Sequence, residues 1–176
     1  FKPAIQGGFD YAHESGFYIG NWNSSISWIS DAASAGGSKN VSAPIEMDFY
    51  AGIKKEFLGE GFASDLGVLQ YYYPASGIPN TGGYTANPNT TEIYAAQNFT
   101  FGPVTGFGKV NYGLTNIFGM PNSTGSYYLD LTSNLDTGIW GLSLNGHIGY
   151  QHVAGQPGVS NGVSTAGLGT LSYTDW

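Results

Sequence analysis

IEMDFYAGIKKEF, residues 45–57, is the stretch whose reading decides the fold. Ile45, Met47, Phe49, Ala51 and Ile53 fall on one side of an extended chain; Glu46, Asp48, Tyr50, Gly52 and Lys54 fall on the other. Side chains of a strand alternate with period two, so this segment must divide an apolar environment from a polar one. Neighbouring segments repeat the pattern. In residues 139–153, Trp140, Leu142, Leu144, Gly146, Ile148 and Tyr150 oppose Gly141, Ser143, Asn145, His147, Gly149 and Gln151. In residues 5–12, Ile5, Gly7, Phe9 and Tyr11 oppose Gln6, Gly8 and Asp10, and in residues 126–135, Tyr127, Leu129, Leu131 and Leu135 oppose Tyr128, Asp130, Thr132 and Asn134. Residues 17–29 alternate less regularly. Placing Tyr18, Trp22, Ile26 and Trp28 on the apolar side and Asn21, Asn23, Ser25 and Ser27 on the polar side leaves Phe17 and Ile19 pointing inward. Residues 62–73 and 91–101 leave Gln70 and Gln97 on the apolar side.

Together with residues 104–114 and 168–176, these make about nine extended segments. Their connections alternate between tight links (13–16, 58–61, 102–103, 136–138) and polar loops (30–43, 74–90, 115–125, 154–167). Sorting of loops by side is what an up-and-down antiparallel transmembrane β-barrel produces. Most segments reach the ~9–11 residues that a tilted strand needs to cross a bilayer. Aromatic residues at both ends of the apolar side of 139–153 match interfacial girdles. The predicted fold is therefore all-β: a single barrel domain over residues 1–176, without internal helices because no segment carries a 3.6-residue period. Nine is an odd number and the last segment breaks off at Trp176, so about 10–12 strands are expected in the intact protein.

Composition agrees. Charged residues make up 10% of the chain, well below the roughly 25% of a soluble domain, while aromatics reach 15%. Alternate residues alone need face lipid, which suits scarce charge and modest hydropathy. No apolar run approaches the ~20 residues of a spanning helix. The net charge of −7 and the absence of arginine make nucleic acid a poor partner. Without cysteine, disulfides, thiolate-held zinc and thiol catalysis are excluded. Phe1 is not an initiator residue, so processing or missing strand material is expected.

Five blocks carry a family resemblance: QGGFDYAHESGFYIGNW (6–22), EMDFYAGIKKEF (46–57), LGVLQYYYP (66–74), TEIYAAQNF (91–99) and SYTDW (172–176). In order and over nearly the whole chain, they resemble the TorF-type family of Gram-negative proteobacteria, whose members are taken to be outer-membrane porins. The resemblance implies an outer-membrane barrel with a channel role. It also implies a further strand before Phe1 and two or more after the Tyr-Thr-Asp-Trp block. It carries no catalytic or binding residues.

On the polar side, Asp10, Glu46, Asp48, Tyr50, Lys54, Asp65, Glu92, Lys109, Asp130, Asn145 and His147 are predicted to line the lumen. Carboxylate rings in a low-dielectric tube favour cations. The expected function is passive diffusion of small hydrophilic solutes or ions, weakly cation-preferring, without catalysis, cofactor or metal. Its partners are outer-membrane lipid and the permeating solute; a homo-oligomer is compatible with this reading. One alternative is a plugged, non-conducting barrel acting as an envelope scaffold or partner-binding protein. A second is an outer-membrane hydrolase using Ser143, His147 and Asp130. Four residues along one strand separate Ser143 from His147 by about 13 Å, too far for a hydrogen bond. A secreted β-sandwich is the third. The loop 74–90, preceded by Tyr71, Tyr72 and Tyr73, is expected to be solvated above a tyrosine belt. His13 and His152 are read as solvent or interface residues.

Overall fold

The computed structural model describes residues 3–35, 37, 40–78, 80–81, 84–85, 87–155 and 173–175. These form β1 (Gln6–Ala12), β2 (Phe17–Ser25), α1 (Trp28–Ala35), β3 (Ile45–Lys55), β4 (Ser64–Tyr72), β5 (Asn80–Thr81), β6 (Tyr84–Thr85), β7 (Thr90–Phe101), β8 (Val104–Gly113), β9 (Tyr127–Asp136), β10 (Ser143–His152) and β11 (Tyr173–Asp175). Nine strands make one antiparallel sheet in the order β1-β2-β3-β4-β7-β8-β9-β10-β11, and β5 and β6 form a separate small hairpin within the connection 73–89. Each strand of the sheet therefore pairs with the strands that precede and follow it along the sheet's own chain path. The all-β, up-and-down part of the expectation is observed. The described sheet is open, with β1 and β11 as its edges.

Register sorts the sheet into two sides, because directly opposed residues of an antiparallel pair share a face. One row of the apolar side reads Phe17, Ile53, Leu66, Ala95, Val110, Leu129 and Tyr150; the next reads Tyr11, Ile19, Ala51, Val68, Ile93, Tyr112, Tyr127 and His152. Gln70 and Gln97 do lie on this side, and each is satisfied by its register partner. Thr91 Oγ1 donates to Gln70 Oε1 at 2.6 Å, and Ser64 Oγ donates to Gln97 Oε1 at 2.6 Å.

Three expectations are corrected. First, α1 occupies residues assigned to a strand end and a polar loop. Ser27 starts it: its carbonyl accepts the Asp31 amide at 2.8 Å and its hydroxyl donates to Asp31 Oδ2 at 2.7 Å. An acidic residue in the first turn suits the helix dipole, and eight residues are too few to display a 3.6-residue period. Second, β2 presents the opposite sides from those expected. Phe17 and Ile19 lie on the apolar side, opposite Ile53 and Ala51, whereas Tyr18 and Trp22 lie on the polar side, opposite Gly52 and Asp48. Asn21 and Asn23 tolerate the apolar side by donating to backbone, Asn21 Nδ2 to the Asp48 carbonyl at 3.1 Å and Asn23 Nδ2 to the Gly7 carbonyl at 3.3 Å. Third, β10 begins at Ser143, so Trp140 and Leu142 belong to the turn 137–142 rather than to a strand. Trp140 there has φ 51° and is fully exposed. Of the predicted segment 168–176, the described part is β11; most of the predicted loop 154–167 lies outside the described residues.

Among the described residues the buried apolar side chains are Ile29, Ala43, Tyr73 and Ile117, none of them in a strand of the sheet. The strands' own apolar residues stand exposed: Phe9 at 64%, Leu131 at 51% and Ile148 at 52%.

Candidate functional site: the polar face of the sheet

All eleven predicted lumen residues fall on one side. One register row carries Lys54, Asp65, Ala96, Lys109, Asp130, Gly149 and Asp175. The next but one toward the long loops carries Asp10, Gly20, Tyr50, Leu69 and Glu92. Asp48 and Glu46 follow in the rows beyond, and Asn145 and His147 occupy this side of β10. The structure brings these residues onto one surface but joins them in separate groups.

Tyrosines form the first group. Tyr50 on β3 reaches across Gly20 on β2 to hydrogen-bond Asp10 on β1. Tyr18 on β2 crosses Gly52 on β3 and donates to Asp65 Oδ1 on β4 at 2.6 Å. Its hydroxyl also meets that of Tyr94, whose ring covers Gly67. Tyr128 on β9 crosses Gly149 on β10 to both oxygens of Asp175 on β11, at 3.2 Å each. A Cβ at any of these glycines would collide with the ring above it, so glycine is what lets each ring lie flat on the wall. Lys109 Nζ sits 4.6 Å from the centroid of the Tyr94 ring, within cation–π range. Tyr18, Tyr94, Tyr128 and Asp175 were not among the predicted site residues. The signal for them is a tyrosine and a glycine falling on opposed positions, which needs the register.

A second group surrounds His147. Its Nδ1 lies 3.1 Å from Asp130 Oδ1 and 3.0 Å from Thr132 Oγ1, and its Nε2 lies 3.7 Å from Asp175 Oδ2. Tyr128 Oη is 3.4 Å from Nε2. Asp130 thus meets His147 as the hydrolase alternative requires, but Ser143 is paired in register with Asp136 at the other end of β10. The hydroxyl at the imidazole belongs to Thr132, which also donates to Asp130 at 2.8 Å.

The third group lies at the long-loop end. Trp28 from α1 packs edge-on against Tyr73 (5.6 Å between centroids) and Phe118 (6.5 Å), and Phe118 packs on Tyr71 of the polar side at 5.2 Å. Ile29 and Ala43 complete this small core. Phe118 has φ 49°, a left-handed conformation unfavourable for an aromatic residue, and its amide donates to Thr90 Oγ1 at 2.7 Å. Tyr73, only 4% exposed, donates to Glu46 Oε2 at 2.5 Å. Burial first, then this bond to a carboxylate, raises the Tyr73 hydroxyl pKa well above its ordinary value. Tyr73, expected in a tyrosine belt below the solvated loop 74–90, is instead buried in a packed cap, and Ala75 of that loop packs against it.

Among the described residues no cluster of three or more His, Asp or Glu side chains has metal-binding geometry. The arrangement is that of an antiparallel sheet with one apolar surface, one surface of carboxylates and tyrosines, and an aromatic cap at one end. The chain belongs to the bacterial family Gcw_chp, described as bacterial proteins of unknown function, whose model matches residues 1–176. No curated protein and no solved structure matches it.

Proposed function

We propose that this protein is an outer-membrane β-barrel that passes small hydrophilic solutes or ions by passive diffusion, with a weak preference for cations. The observation that carries this reading is the exposed apolar side of the sheet, which among the described residues has no second layer against it. Exposed apolar patches beyond a few hundred Å² mark an interaction surface. This one spans the sheet, with Tyr72, Tyr112, Tyr127 and Tyr150 toward the long loops and Phe17, Phe57 and Phe101 toward the tight turns. An apolar band between two aromatic girdles is the lipid-facing pattern of an outer-membrane barrel. Closure into a barrel of about 10–12 strands belongs to the proposal, since unpaired strand edges in lipid cost several kcal/mol per group. The resemblance to the TorF-type porins supports the same reading.

Cation preference follows from the polar side, where Asp10, Glu46, Asp48, Asp65, Glu92, Asp130 and Asp175 stand against Lys54 and Lys109. The reading needs no cofactor and assigns no reaction. Single-channel recording of the full-length protein under a KCl gradient tests it: discrete steps with a cation-selective reversal potential are expected, and an anion-selective one removes the assignment.

A second reading, a plugged barrel serving as scaffold or partner-binding protein, is favoured by one observation, the cap of Trp28, Tyr71, Tyr73 and Phe118. A folded barrel that stays silent in the bilayer until the cap is removed would support it.

A further inference from the structure

The polar side is acidic along most of its surface, yet its two lysines come together in one place. Lys54 and Lys109 both line a cavity of about 640 Å³ that also takes in Asp10, Asp65, Tyr18 and Tyr94. Lys54, Asp65 and Lys109 share one register row, in the order Lys54, Asp65, Ala96, Lys109. Charge alternates, and the position between Asp65 and Lys109 holds only a methyl group.

The charged groups keep unused capacity. Asp10 and Asp65 are engaged by the hydroxyls of Tyr50 and Tyr18, which leaves lone pairs on each carboxylate. Among the described residues neither lysine ammonium lies within 4.0 Å of a carboxylate, although Lys54 and Asp65 are register partners. Lys109 is instead held over the Tyr94 ring. Asp130, the neighbour of Lys109 in the row, is occupied by His147 at 3.1 Å. The result is a cavity with an available anion and an available cation on strands two apart.

We infer that this cavity is a binding site for small zwitterions of the amino-acid type, with the ligand ammonium at Asp65, its carboxylate at Lys109 and its body between the two. Such a ligand satisfies both charges at once, whereas a lone cation or anion leaves one of them facing a like charge or nothing. The inference deepens the channel reading by naming a solute class, and it rests on that reading for the solute's route of access.

The test is equilibrium binding to the detergent-folded full-length protein with three probes: L-serine, ethylamine and acetate. Serine is expected to saturate in the millimolar range, with both single-charge probes at least about tenfold weaker. Lys54→Gln with Lys109→Gln, or Asp65→Asn alone, is expected to abolish the serine preference, and Lys54→Arg with Lys109→Arg to keep it. Folding of every variant is checked by heat-modifiable gel mobility. Acetate or ethylamine binding as tightly as serine, or serine failing to saturate, overturns the site on the unmodified protein alone. Conductance is measured separately. A silent barrel that binds serine removes the channel and keeps the site, while a conducting barrel that does not bind it does the reverse.

Discussion

The Tyr18 hydroxyl donates to Asp65 at 2.6 Å across an intervening strand, and the residue beneath its ring is Gly52. A Cβ at Gly52 would lie 2.5 Å from the Tyr18 hydroxyl and 2.5 Å from the Leu66 carbonyl. Gly52→Val is therefore expected to lift the ring, break the bond to Asp65 and cost about 1–3 kcal/mol. Gly108→Ala is its control, because a Cβ there meets nothing within 4 Å. Urea midpoints in detergent should fall for the first and stay level for the second.

Selectivity should reside in the carboxylates rather than in the tyrosines. Neutralising Glu46, Asp48 and Glu92 together (Glu46→Gln, Asp48→Asn, Glu92→Gln) is expected to lower the cation-to-anion permeability ratio. Tyr50→Phe, which removes a hydroxyl and no charge, should leave the ratio unchanged. Reversal potentials under a salt gradient decide between them.

The cap contains its own point of weakness. Phe118→Gly removes the ring packed on Trp28 and Tyr71 while relieving a left-handed conformation worth about 1–2 kcal/mol. The variant is expected to fold as stably as the parent and to show larger unit conductance. Unchanged conductance in a folded Phe118→Gly protein would mean that the cap does not limit passage.

Tyr73 predicts an alkaline limit. Its folded pKa is raised, first by burial and then by Glu46, so its stabilising contribution is fully present below the unfolded value near 10. Above that pH the unfolded chain loses a proton that the folded chain retains, and stability falls. Tyr73→Phe should flatten this alkaline fall. It should also cost about 1–3 kcal/mol at neutral pH by leaving Glu46 without its donor.

Trp140 offers a test of the lipid assignment. It is fully exposed at the tight-turn end beside Ile139 and Leu142. With Trp22, Trp28 and Trp176 replaced by Phe, its fluorescence should be quenched by lipids brominated near the headgroup and much less by lipids brominated at the chain ends. Quenching by an aqueous quencher alone would place it in water.

How far the sequence could be read follows from the period of each segment. Residues 45–57 and 143–152 alternate cleanly, so their sides, and with them Glu46, Asp48, Lys54, Asn145 and His147, could be assigned without coordinates. In β2 the alternation is ambiguous, because Trp22 and Tyr18 carry both apolar and polar character. Pairing with β3 decides it, and pairing is a long-range fact. Two turns of helix at Trp28–Ala35 are too short to leave a periodic signature. The tyrosine bridges and the His147 cluster each join three strands, so no single segment of sequence contains them.

Hydropathy does not by itself fix the alignment of such a sheet. Sliding one strand by two residues keeps every apolar side chain on the same side of the sheet, so hydropathy does not register the slip. Moved by two along β3, Tyr18 would face Tyr50 or Lys54 in place of Gly52, its ring could no longer lie flat, and Asp65 would be out of reach. Tyr50 over Gly20 and Tyr128 over Gly149 impose the same condition elsewhere. Each bridge thus fits one alignment of three consecutive strands, and together they favour the observed register over a two-residue slip.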